Sequence, residues 1–192
     1  HYDTAPVPGH VGANDSAAGV GAVIELARAL ARTQHPTDRA IAFLLTDGEE
    51  APELPLRGAF YDVALRGSRA AAATMDPEAV IVLDFIAQKG LRIEREAGSD
   101  PALWARLRAA ARRVGTQAVF PDATRSEIVD DHTPFARRGI PAIDLIDFDY
   151  PCWHRTCDTL DRLSVRSLDA VGETVLELVR ELRRPGGLRG SL

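Results

Sequence analysis

Residues 40–50 read "AIAFLLTDGEE": an apolar run broken abruptly by Asp47, Glu49 and Glu50. A continuous apolar stretch of this length, without polar alternation, is expected for a strand covered on both faces. The acids that follow mark the strand's exit, where a charge costs little if it faces a cleft and much if it is buried alone. Outward from this stretch the chain alternates between two periods. "AVIVLDFI" (79–86) and "GIPAIDLI" (139–146) read as further strands. "DSAAGVGAVIELARALA" (15–31) predicts a helix with Val20, Val23, Ile24, Ala27 and Leu30 on one stripe and Asp15 or Ser16 as its cap. Helices are also expected over 67–75, over 101–115 with Pro101 in the first turn and Gly115 past the end, and over 164–184 with Leu168, Val171, Val175, Leu178, Val179 and Leu182 inward. Alternating strands and helices imply an α/β fold with a mostly parallel sheet and helices on both faces. Ligands bind such sheets outside the carboxyl ends of the strands.

The bulk numbers fit that reading. The 192 residues are 45% hydrophobic and 27% charged, the composition of an ordinary globular domain. A single domain is expected over 1–184, with a flexible tail at 185–192. The net charge of −5 argues against a nucleic-acid partner, which would favour a basic surface. No run approaches the ~18 apolar residues of a membrane span. Cys152 and Cys157 fit no zinc-finger or redox spacing, and they read as two small half-buried residues or, in an exported protein, as one local disulfide. "GVGAVI" (19–24) has two glycines of a dinucleotide fingerprint but follows no strand, so close helix packing is the simpler expectation.

Five side chains of metal-ligand type punctuate element ends: His1, Asp15, Glu50, Asp84 and His154. Two imidazoles with several carboxylates suit zinc, and one shared carboxylate could hold two ions as a co-catalytic pair. Glu49 is then the acid left free: in the turn after Gly48 its neighbour can grip metal while it faces the water. His10 and His35 lie in polar, loop-like surroundings, and His132 reads as part of a local turn. No helical H-E-x-x-H, nucleophile elbow or phosphate loop is present.

The ordered set "HYDT", "GANDSAAGV", "TDGEE", "VLDFI" and "WHRTCDT" resembles the motifs of the zinc aminopeptidase and glutaminyl cyclase family, metallopeptidase family twenty-eight. The resemblance spans essentially the whole chain. It implies a three-layer α/β/α sandwich around a mixed, mostly parallel sheet. It also implies one or two zinc ions: Asp15, Glu50 and His154 at one, His1, Asp15 and Asp84 at the other. Glu49 would be the general base, and Asp3 a carboxylate that orients the centre. The implied substrate is a peptide with a free N-terminus. Relatives carry sequence, including strands, ahead of the "HYD" segment, so an N-terminal portion is expected to be missing here and a sheet edge exposed. Relatives are often exported, so a periplasmic or secreted site is expected.

"DDHTPFARRGIP" followed by "WH" resembles the glutaminyl cyclase branch. It implies that Asp130 shares a proton network with Glu49 and that Trp153 lines the pocket. Asp144 stands where animal cyclases carry histidine, which favours a peptidase that hydrolyses N-terminal peptide bonds over a cyclotransferase forming pyroglutamate on one zinc. Asp130 has a second reading as the cap of a helix starting near Thr133, and a non-catalytic binding module on the same fold is the third alternative.

Overall fold

A computed structural model describes residues 1–187. Its core is a parallel pair, β1 (Val80–Leu83) beside β4 (Ala142–Leu145), in register Val80 to Ala142 through Leu83 to Leu145. A second parallel pair joins β2 (Arg95–Glu96) and β3 (Thr124–Arg125). The helices are α1 (Ala18–Ala31), α2 (Phe60–Val63), α3 (Arg66–Thr74), α4 (Pro101–Val114), α5 (Thr133–Ala136) and α6 (Val165–Leu182).

Strand period two sorts the side chains into layers. Ile81, Leu83, Ile143 and Leu145 face the main core with α1, α4 and α6, where Leu107, Ala110, Val171 and Leu178 pack. Val80 and Ala142 face the other way, onto Ala72 of α3 and Phe135 of α5. Helices therefore cover both faces of a parallel sheet, the α/β/α layering expected from the alternation of periods. The helix ends follow local chemistry. Asp100 accepts a hydrogen bond from the Leu103 N–H at 2.7 Å and Pro101 opens α4, while Gly115 closes it in the left-handed conformation. Ser164 caps α6, whose inward stripe includes the predicted Val171, Val175, Leu178 and Leu182. In the expected tail, the Gly187 carbonyl accepts a 2.5 Å hydrogen bond from Arg106; residues 188–192 lie outside the described part.

Two expectations need correction. The buried face of α1 runs through Ala18, Gly19, Leu26 and Leu30, and Ile24 is exposed. The predicted stripe was therefore rotated, because α1 meets β1 through its smallest residue. A Cβ on Gly19 would stand 2.2 Å from the Leu83 carbonyl oxygen, so the "GVGAVI" glycine is a contact point between helix and strand. Gly19→Ala is expected to cost about 1–3 kcal/mol by overpacking, read as a lower urea midpoint; an unchanged midpoint would contradict that contact.

The second correction concerns 40–46. This apolar run enters no ladder among the described residues; its end is tied by the Tyr2 N–H to the Thr46 carbonyl at 3.0 Å. A cavity of about 690 Å³ separates it from β1, lined by Val20, Val23, Phe43, Leu45, Ile81 and Leu83 among others. Phe43, Leu44 and Leu45 are consequently exposed. The composition of a covered strand is present, but no neighbour within hydrogen-bonding reach uses it. No helix among the described residues is long and apolar enough to cross a membrane.

Candidate metal centre

Five chain segments deliver the site, the first of them carrying His1 and Asp3. Asp15 was a candidate helix cap, but α1 begins after it and has no side-chain cap. Asp15 and Ser16 instead adopt non-helical conformations within an irregular turn, Ala13–Ala17. That turn brings the Asp15 carboxylate into the interior, where it is 1% exposed. Asp84 leaves the carboxyl end of β1. His154 sits in an irregular loop with φ 50, a left-handed conformation uncommon outside glycine. Glu49 and Glu50 follow Gly48, whose φ of 68 permits the sharp turn.

That turn is held on both sides. The Leu65 N–H donates to the Glu49 carbonyl at 3.0 Å, and the Arg66 N–H donates to the Gly48 carbonyl at 2.7 Å. The Arg66 guanidinium reaches the Glu50 carbonyl at 3.1 Å. Asp3 closes the other side, its two carboxylate oxygens accepting from the Glu49 N–H at 3.2 Å and the Glu50 N–H at 3.1 Å. Asp47, in contrast, is exposed and takes no part.

The five candidate ligands converge. His1 Nε2 lies 3.4 Å from Asp15 Oδ1, 3.7 Å from Glu49 Oε2 and 3.9 Å from Asp84 Oδ1. His154 Nε2 lies 3.0 Å from Glu50 Oε1 and 3.5 Å from Asp15 Oδ2. The two oxygens of Asp15 thus address different imidazoles. Ligand atoms of His1, Asp15 and Glu50 all fall within 4.8 Å of one another. His1 Nε2 and Asp15 Oδ2 are buried with no hydrogen-bond partner, an arrangement that costs free energy unless something occupies the gap. An imidazole–carboxylate set with orphaned, inward-facing donor atoms fits a zinc-type cation.

The buried acids around this set are strongly perturbed. Burial and the neighbouring Asp130 charge push Glu49 and Asp84 well above the ordinary carboxyl range. Asp144 is raised by the same two causes, and Asp131 is raised to about 6. Burial opposes charge on His1, but Asp15, Asp3, Asp84 and Glu49 outweigh it and raise its pKa. These signs set a pH dependence for the metal-free chain. Unfolded carboxyls titrate near pH ~4 while the buried acids hold their protons higher, so stability falls as pH rises through that window. His1 adds stability that is fully present below about pH 6.5 and lost as pH climbs through its raised folded value. The acid limb comes from Glu96 and Asp3. Burial would raise Glu96, but hydrogen bonds from His132, Ser99 and the Gly98 N–H bring it to about 2. Asp3 is likewise lowered, mainly by His1 working against burial. The metal-free chain should therefore melt higher at about pH 5 than at about pH 8, and zinc should reverse the order. A metal-free midpoint that rises from the lower to the higher pH would contradict this charge assignment.

The remaining sequence candidates are placed as follows. Asp130 does not cap α5: that helix has no side-chain cap, Asp130 Oδ2 has no hydrogen-bond partner, and its Oδ1 accepts from the Asp131 N–H. Trp153 is 44% exposed, its ring 4.7 Å from the His154 ring and 4.8 Å from Phe148, which puts it on the rim. Asp144 lies wholly buried behind the acids, with its N–H donating to the Ser99 hydroxyl at 2.9 Å. His132 is more than a turn residue; it is buried 3.4 Å from Glu96 and 3.8 Å from Asp144. His10 lies in a loop beside a polar group, as expected, with its side chain enclosed 3.7 Å from Asp158. His35 is exposed, as expected. Cys152 and Cys157 form a disulfide, which removes them as ligands and fits an oxidising compartment.

Asp158 was missed, although it falls in the quoted "WHRTCDT". Fully buried, it accepts from the Asn14 N–H at 2.9 Å, the Asp15 N–H at 3.1 Å and the Tyr150 hydroxyl at 2.7 Å. The available signal was its distance of four residues from His154, but backbone donors do not appear in a side-chain motif.

Known proteins resemble this chain in sequence and fold. The chain is 27% identical to aminopeptidase YwaD of Bacillus subtilis, aligned over 100% of this chain and 43% of that protein. It superposes on an Acidobacteriales bacterium glutaminyl cyclase with TM-score 0.79 and 34% identity, covering 90% of this chain and 62% of that one. A leucine aminopeptidase precursor from Bacteroides thetaiotaomicron superposes with TM-score 0.78 and 27% identity, covering 88% and 62%. The chain thus spans about half the length of the curated relatives it matches. Residues 1–179 match Peptidase family M28. The parallel sheet with helices on both faces agrees with that match, which covers most of the sequence: this chain belongs to peptidase family M28.

Proposed function

We propose that this chain is a zinc-dependent aminopeptidase domain that hydrolyses the first peptide bond of substrates with a free N-terminus. The observation that carries the reading is the split of Asp15: Oδ1 turns to His1 and Oδ2 to His154, as a carboxylate between two cations would. On this reading Asp15, Glu50 and His154 would hold one zinc, and His1, Asp15 and Asp84 would hold the other. When bound, zinc supplies Lewis acidity, polarising the scissile carbonyl and making water a stronger acid.

The chain's own residues do the rest. Glu49, adjacent to this set and raised in pKa, takes the proton of the attacking water and hands it to the departing amine. Asp3 fixes the Glu49 and Glu50 backbone, so that one carboxyl faces metal and the other faces substrate. Asp130, beside Glu49, Asp84 and Asp144, spreads the proton demand over several acids. Trp153 forms an aromatic wall for the substrate's N-terminal residue. The disulfide supports a periplasmic or secreted location.

A second reading uses the same pocket without water: the amine of an N-terminal glutamine attacks its own side-chain carbonyl, Glu49 moves the proton, and ammonia leaves. The buried Asp130 beside Glu49 favours it, as does the likeness to a glutaminyl cyclase. A glutamine-terminated peptide decides. Free glutamine and a shortened peptide support the hydrolase; ammonia and an intact, blocked peptide would overturn it in favour of cyclisation.

A further inference from the structure

His154 has a conformational problem that its own sequence does not solve. Its φ of 50 is disfavoured for a non-glycine residue, and its loop contains no regular secondary structure. Local backbone bonds are few: the Trp153 N–H to the Tyr150 carbonyl at 3.2 Å, Arg155 to Cys152 at 3.0 Å, and Asp158 to Arg155 at 3.0 Å. Around them runs a covalent ring, because Cys152 and Cys157 are bonded and the ring encloses His154. Cys152 anchors the ring in a buried cluster with Phe85, Ile146 and Tyr150. Next to the ring, Asp158 grips the backbone N–H groups of Asn14 and Asp15. One short cross-linked loop therefore presents one imidazole and holds the residue opposite it.

We propose that the Cys152–Cys157 disulfide is a positioning element for the metal centre, keeping His154 in its ligating conformation against Asp15 and Glu50. The proposal rests on the reading of these three residues as ligands. A cross-link of this kind narrows the conformations open to the loop before metal arrives, so its removal should appear in metal affinity and not only in stability.

The test is zinc affinity of the metal-free full chain, measured by competition with a chromogenic chelator. Cys152→Ser/Cys157→Ser is expected to bind zinc about ten-fold or more weakly, in the range seen when an orienting partner of a ligand is lost. In a His154→Ala background the same pair of changes should cost no further affinity, since the cross-link acts through that ring. If the serine pair does not fold, the disulfide of folded wild-type chain is reduced with a water-soluble phosphine. The disulfide gains two electrons and two protons to give two thiols, and the phosphine, taking oxygen from water, becomes its oxide. The phosphine is then removed without air. Amide hydrogen exchange across 150–158 in the metal-free chain should quicken alongside the affinity loss. Unchanged or tighter zinc binding without the disulfide overturns the proposal and leaves the ligand reading intact, as does an equal loss in the His154→Ala background. Wild-type chain that binds no zinc overturns both.

Discussion

Replacing Glu49 with glutamine is expected to leave zinc uptake nearly unchanged and to lower kcat by about 10²–10⁴-fold, the range for loss of a positioned acid–base group. The separation follows from how the residue is held. Its backbone N–H bonds Asp3 and its carbonyl bonds Leu65, so the turn survives a change of side chain. Glutamine matches the volume but accepts no proton. Burial and Asp130 lift the Glu49 carboxyl, bringing it nearer the pH at which it must alternate between base and acid. Wild-type turnover in the glutamine variant would remove Glu49 from the mechanism. Loss of zinc with the activity would instead make it a ligand.

Asp15→Ala is expected to have the largest effect on the metal. Both oxygens of Asp15 face imidazoles that belong to different halves of the cluster. Its removal should weaken zinc binding by more than about 100-fold, beyond the loss caused by removing an orienting neighbour. Activity should fall with the metal, and excess zinc should restore little of it, because neither half keeps its full ligand set. Retention of tight zinc by Asp15→Ala would exclude it as the shared ligand. The one-zinc cyclase reading also places Asp15 at its metal, so this variant tests the centre, while product identity separates the two chemistries.

Most of the architecture was legible because it is written in period and punctuation. Continuous apolar runs at 79–86 and 139–146 gave the two central strands, and Asp100, Pro101, Gly115 and Ser164 marked helix ends through local chemistry. The segment 40–46 shows the limit of that method: its composition meets the requirement of a covered strand, but hydrogen bonding depends on a neighbour that composition cannot supply. The stripe of α1 was misplaced for a related reason, since Gly19 makes the closest approach to β1 and carries no hydrophobic weight. In the site, acids and imidazoles at element ends were visible as ligand types. Of the groups that hold them, Asp3 came only through the family resemblance, while Asp158, which works on backbone N–H groups, and His132, buried between acids distant in sequence, were not visible.

The central claim is that these side chains hold zinc at the carboxyl edge of the sheet. A crystal of the zinc-reconstituted chain, recorded on both sides of the zinc absorption edge, tests it most directly. An anomalous peak about 2.0–2.2 Å from Asp15, Glu50 and His154 is the predicted result. A folded chain with no peak among those residues, or with zinc bound only elsewhere, would contradict the account.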